Sequence, residues 1–172
     1  MPKQWITRDF ASDADPALLP NIIERLRGTP ARIEERVGRL HEEILTCQPS
    51  GAWSIQENVG HLLDLEPLWT RRVAEFEAGA KVLTAADMTN QATVNARHNT
   101  RHIGELLSDF QRAREVLVSA FERVSEPAQR RTALHPRLQK PMRLVDLAVF
   151  IAEHDDHHLA RITALLSVLS GG

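Results

Sequence analysis

Apolar residues recur every three or four positions through four long stretches of this chain, and almost nowhere in strict alternation. That period is helical, so each stretch reads as an amphipathic helix with one stripe to bury. Ile33, Val37, Leu40, Ile44 and Leu45 carry the first stripe, and Ile55, Val59, Leu62, Trp69, Val73 and Phe76 the second. Ile103, Leu106, Phe110, Leu117 and Phe121 mark the third, and Leu144, Leu147, Ile151, Ile162 and Leu169 the fourth. No segment reads as a sheet. The expected fold is all-α, a four-helix bundle forming one domain over residues 1–172.

Local signals place the breaks. Residues 1–12 read as an N-terminal arm, and Asp15-Pro16 starts a short helix running to about Arg27. Gly28-Thr29-Pro30 restarts the chain into the first long helix, which ends before Pro49-Ser50-Gly51. Ser54 and Glu57 form a capping-box pattern that opens the second, and Gly79 closes it. Two stretches are irregular, Ala80 to Asn99 and Ser125 to Pro141. The first is long for a link between antiparallel neighbours. It is expected to cross the bundle and leave helices two and three parallel, in an up-down-down-up order.

Charge narrows the function. The formal net charge is −2, with acidic and basic residues mixed along the chain, which argues against a nucleic-acid surface. Arg71-Arg72 and Arg130-Arg131 read as solvated charges. Cys47, the single cysteine, excludes an intramolecular disulfide and a cysteine-based zinc site and reads as a packing residue. No apolar stretch is long enough to span a bilayer, and the N-terminus lacks a secretory apolar region, so the expectation is a soluble, cytoplasmic protein with no membrane partner.

The chemistry lies in the histidines. His154 and His158 are four residues apart, on one face of the last helix, a spacing that lets two side chains grip one divalent metal. On a helical wheel they interrupt the apolar stripe, whereas His157 falls about 120° from its centre, at the solvent boundary. Burying two imidazoles side by side is costly unless something satisfies both. His61, just after the second helix start, is the candidate third ligand, with Glu57 one turn earlier on its face. His98 and His102 share the same spacing but precede an apolar stripe and read as a solvated helix terminus. His41 and His135 have no partner at useful spacing. Glu153, Asp155 and Asp156 read as solvated charges around the pair.

Two segments resemble the DinB-like (DinB/YfiT-like) family of metal-dependent proteins. Trp53-Ser54-Ile55-Gln56-Glu57-Asn58-Val59-Gly60-His61-Leu62 is similar to its Trp-Ser-x-x-Glu helix start with a following histidine. Ala152 to Ile162 is similar to its closing His-x-x-x-His helix. The resemblance covers nearly the whole chain and implies an up-down-down-up bundle with His61, His154 and His158 as metal ligands. Characterised members include transferases and isomerases that use low-molecular-weight thiols such as bacillithiol or mycothiol.

Three functional readings follow. A tri-histidine zinc or nickel site can activate a small thiol cosubstrate for S-transfer onto an electrophile, the leading expectation. The same site can activate water for hydrolysis, with Glu57 and Asp64 the acids nearest in sequence. It can also be a non-catalytic metal- or ligand-binding bundle. The expected partners are a small-molecule substrate and a second copy of the chain, with Trp5, Trp69 and Phe76 as candidates for an exposed pairing face.

Overall fold

The computed structural model describes residues 4–170. The first three residues of the expected arm, and Gly171 and Gly172 of the expected domain, lie outside them. The elements are α1 (Leu19–Arg27), α2 (Thr29–Val37), α3 (Glu42–Thr46), α4 (Ile55–Glu77), α5 (Gln91–Ala96), α6 (Ile103–Glu122), α7 (Glu126–Gln129), β1 (Ala133–His135), β2 (Lys140–Met142) and α8 (Leu144–Ser170).

Cross-links between elements give the topology. Ser54 and Gln56 at the start of α4 bond to Asn99 and to the His98 and Arg101 carbonyls just before α6. Glu77 at the end of α4 bonds to Ser125 just after α6. The two helices are therefore parallel. Ala14 meets Asp146, Arg25 meets Glu153 and Arg32 meets Asp156, so α1 and α2 run with α8. Trp69 packs on Phe150 while His61 packs on His158, so α4 and α8 are antiparallel. The result is the expected up-down-down-up four-helix bundle. The connection 78–102 makes it possible: α4 has 23 residues, about 34 Å at 1.5 Å per residue, and the chain must return along that length.

The core has two apolar clusters. One gathers Leu26, Phe76, Leu117, Phe121 and Leu147 toward the hairpin end, and the other gathers Ile33, Val59, Leu106, Phe110 and Ile162 at the opposite end. Between them Arg114 of α6 bonds to Glu66 of α4, Asp155 of α8 and the Leu26 carbonyl of α1. One guanidinium thus ties four helices.

Several expectations are corrected. The first long helix is broken: α2 caps at Gly38, and His41 is extended, so that Leu45 turns back to the cluster holding Ile33 and Val37. The stretch 125–141 contains a two-stranded antiparallel sheet, with Ala133 opposite Met142 and His135 opposite Lys140. Strands of three residues are too short for alternation to register, and Pro141, which cannot donate to a ladder, disguises one. Trp69 and Phe76 are not on a pairing face. They are 3% and 1% exposed, in the core cluster that also takes in Leu83, Ala128 and Ala133 from the irregular stretches. Arg72 is not solvated either, at 1% exposure. Among the described residues no helix is long and apolar enough to cross a membrane.

Candidate metal centre

The capping box fixes where α4 begins. Ser54 Oγ accepts the Glu57 N–H at 3.0 Å, and Glu57 Oε2 accepts the Ser54 N–H at 2.8 Å. Counting from that start, His61, Leu65, Trp69 and Arg72 fall on one face at spacings of four, four and three. On α8, Phe150, His154, His158 and Arg161 make the matching face. Because the helices are antiparallel, His61 meets the two α8 histidines.

The structure brings His61, His154 and His158 together: one nitrogen from each lies within 4.8 Å of the others. Their ring centroids are 5.4 Å (61–154), 4.8 Å (61–158) and 4.6 Å (154–158) apart. All three are buried. His158 Nδ1 donates to Asn58 Oδ1 at 2.9 Å, and Asn58 is oriented by its own Nδ2 donating to the Ser54 carbonyl at 2.7 Å. His61 Nδ1 pairs with Thr93 Oγ1 at 3.0 Å, supplied by α5. With its Nδ1 donating to Asn58, His158 keeps the Nε2 lone pair free, and His61 does the same in the tautomer whose Nδ1 donates to Thr93, the arrangement that typically orients a ligand imidazole. Trp53 packs on His61 at 4.8 Å, and Trp5 packs on His154 at 4.9 Å.

Burial is the largest cause of the rings' low basicity. It lowers His61 to about 4 and takes His154 and His158 well below the usual histidine value. The three are neutral at pH 7 and can donate lone pairs. His154 Nδ1 is buried with no hydrogen-bonding partner, a cost that a packed core normally avoids. Three neutral nitrogen donors with an open side fit a divalent cation such as zinc or nickel.

The open side faces a cavity of about 720 Å³. Trp5, Trp69 and Phe150 form apolar wall, and Arg72, Arg137 and Arg161 also line it. The N-terminal arm is therefore part of the site, since Trp5 sits in the short turn Trp5–Thr7.

Other sequence-selected residues fall elsewhere. His157 is not at the solvent boundary but 6% exposed, because Trp5 lies over it at 5.8 Å, a cover the wheel of one helix does not include. Glu57 turns to the cap and to Gln48, and does not reach the histidines. Asp64 bonds to His98 Nε2 at 2.9 Å, and His98, expected in solvent, is 2% exposed. His102 does cap a helix end, accepting the Gly104 N–H at 3.2 Å. Asp155 is buried on Arg114 and Thr29, while Glu153 and Asp156 pair with Arg25; none of these acids orients an imidazole. His135 is buried in the cavity wall beside Phe150 at 4.9 Å. Asn58 was legible as a neighbour of His61, three residues earlier on the helix. Thr93, Arg72 and Arg137 carried no such signal.

Comparisons with known proteins identify the family and the fold. The sequence profile of the DinB superfamily matches residues 25–162. Among solved structures, YfiT from Bacillus subtilis, described as a probable metal-dependent hydrolase with an unusual four-helix bundle topology, aligns with a TM-score of 0.79 at 18% identity. The alignment covers 95% of this chain and 94% of that one. No curated protein matches. The matched span contains all three clustered histidines, and this chain belongs to the DinB superfamily.

Proposed function

We propose that the protein is a divalent-metal-dependent hydrolase of small organic molecules, with His61, His154 and His158 holding the ion. The convergence of three buried, neutral imidazoles on a cavity carries the reading. The fold likeness to YfiT, itself described as a probable metal-dependent hydrolase, favours hydrolysis over the other readings. A divalent cation held there supplies Lewis acidity, acidifying water and polarising a carbonyl or phosphoryl oxygen.

The chain's own groups do the rest. Asn58 and Thr93 hold the ligand rings in register. Trp5 and Trp53 exclude bulk water from two of them. Proton transfer falls to His157. Its ring is 5.3 Å from that of His158 and lines the cavity beside the three imidazoles. Asp87 also lines the cavity, but Thr89 and Gln91 occupy its carboxylate. Glu57 and Asp64 are tied elsewhere. Transfer of a small thiol uses the same three imidazoles, with sulfur at the open side, and stands as the alternative.

Metal analysis and turnover test this. Protein reconstituted separately with zinc and nickel is expected to hold about one ion per chain and to lose it on His154→Ala or His158→Ala. His157→Ala is expected to keep the ion and lose roughly 100-fold in kcat. A panel of chromogenic esters and amides, with and without glutathione or cysteine, then separates the chemistries. Cleavage without thiol supports hydrolysis, whereas turnover that requires the thiol shifts the assignment to S-transfer. A protein that takes up neither metal ends both readings.

A further inference from the structure

The metal end of the cavity does not account for its other polar groups. Arg72 is buried as deeply as Arg114, each at 1% exposure, but the two are provided for differently. Arg114 lies between two carboxylates, Glu66 and Asp155. Arg72 has none among the described residues: its Nε donates to the Thr84 carbonyl at 2.9 Å and its Nη1 to His135 Nε2 at 3.2 Å. Glu75, the acid that acts on Arg72 through space, is bonded to the backbone and hydroxyl of Thr84.

Arg137, from the hairpin, enters the same cavity. Its Nη1 donates to the Ile6 carbonyl at 3.2 Å, and its Nη2 is buried with no partner. Donors also exceed acceptors around His135, where the Leu138 N–H faces Nδ1 at 3.2 Å while Arg72 faces Nε2. A neutral imidazole can accept at only one nitrogen, so His135 cannot serve both. Burial lowers the basicity of Arg72 to about 10, with Glu75 offsetting only part of the effect, and burial also lowers that of Arg137. Asp87 is the one carboxylate on the cavity wall among the described residues, and it is exposed and engaged in its own turn.

A guanidinium drawn out of water without a carboxylate bonded to it is costly, and a protein retains it where an anion compensates. We infer that the cavity binds a small organic anion, its carboxylate or phosphate held by Arg72 and Arg137. Trp69 and Phe150 supply the surface for its apolar body, because Arg72 lies over Trp69 at 5.1 Å and Arg137 over Phe150 at 5.6 Å. Trp69 leads on to the histidines, 5.9 Å from His154, and Phe150 packs on Trp69 at 6.1 Å. An anion seated on the arginines therefore points its far end at the candidate metal centre. That orientation rests on the hydrolase reading, whereas the anion site itself does not.

Calorimetric titration of the full-length protein, stripped of metal by chelator, tests the anion site alone. The probes are phenylacetate, phenyl phosphate and the neutral phenylacetamide. At least one anion is expected to bind about tenfold or more tightly than the amide, and the tighter of the two identifies carboxylate or phosphate as the preferred group. Arg137→Gln is expected to weaken that anion about tenfold or more and leave the amide unchanged. This variant is chosen because Arg137 is only partly buried, whereas Arg72→Met risks the fold. Equal affinity for anions and amide, or an Arg137→Gln variant that binds the anion as before, overturns the inference. Repeating the titration after addition of zinc and, separately, nickel separates it from the metal reading: anion binding in a chain that takes up neither metal keeps this site and ends the hydrolase.

Discussion

Gly60 holds a position where no side chain fits. A Cβ there would stand 2.2 Å from Cγ and Cδ2 of the His98 ring, which lies flat on the helix while its Nε2 bonds to Asp64. The glycine is one residue before His61, so this contact seats the long connection against the helix that carries the ligand. Gly60→Ala is expected to displace His98 and cost about 1–3 kcal/mol, since the ring is buried and has no open space to retreat into. A shift in urea midpoint measures it, and an unchanged midpoint would show that the connection yields freely. His98 also illustrates why a single position misleads in sequence. Its neighbours in chain are polar, and only the glycine thirty-odd residues earlier makes room for it.

At the scale of elements, α8 works on two faces. One presents His154 and His158 to α4, and the other presents Asp155 to Arg114. Arg114 is also bonded to Glu66, whose pKa burial raises to about 7 despite the guanidinium beside it. Removing the cation would leave two carboxylates in the core. Arg114→Met is accordingly expected to cost about 3–5 kcal/mol, the usual result of breaking a buried ion pair from one side. Replacing Arg114, Glu66 and Asp155 together by apolar residues of similar volume is expected to restore most of it. Thermal denaturation of the single and triple variants provides the comparison. If the triple variant is as unstable as the single, the triad stabilises by more than mutual neutralisation.

For the whole molecule, the buried histidines set the pH response. His61, His135 and His157 are lowered to about 4, and His154 and His158 lie well below 6.5, with burial the leading cause for each. Between pH 6.5 and 4 the unfolded chain binds protons that the folded chain refuses. Stability is therefore complete above about pH 6.5 and falls as pH drops through that window. Glu66 works in the opposite direction, because its raised value lets the folded state hold an extra proton between 4.5 and about 7. Five depressed groups against one raised group leave a net loss. The urea midpoint of the metal-free protein is expected to be steady from pH 8 to 7 and to drop steeply below 6.5, and a flat profile would contradict the burial of these rings. The same topology that buries them depends on the crossing connection. A direct link from α4 would make its neighbour antiparallel and would leave no segment to bring Thr93 to His61.

The helical period of Val59, Phe110 or Ile151, the Ser54–Glu57 cap and the four-residue step from His154 to His158 are local patterns. Their physical cause lies within a few residues of chain, and they pointed to the bundle, its long connection and the His154–His158 pair, while the resemblance to the DinB-like family completed the set with His61. The remainder depended on surfaces that meet across long separations. Trp5 covers His157, the hairpin delivers His135 and Arg137, and Arg72 looks like a surface charge until the irregular stretches close over it. Burial belongs to the packed assembly rather than to any segment of it. The sequence by itself therefore determined which side chains are available to hold a metal, whereas the tertiary structure decided which charges accompany them inside the cavity.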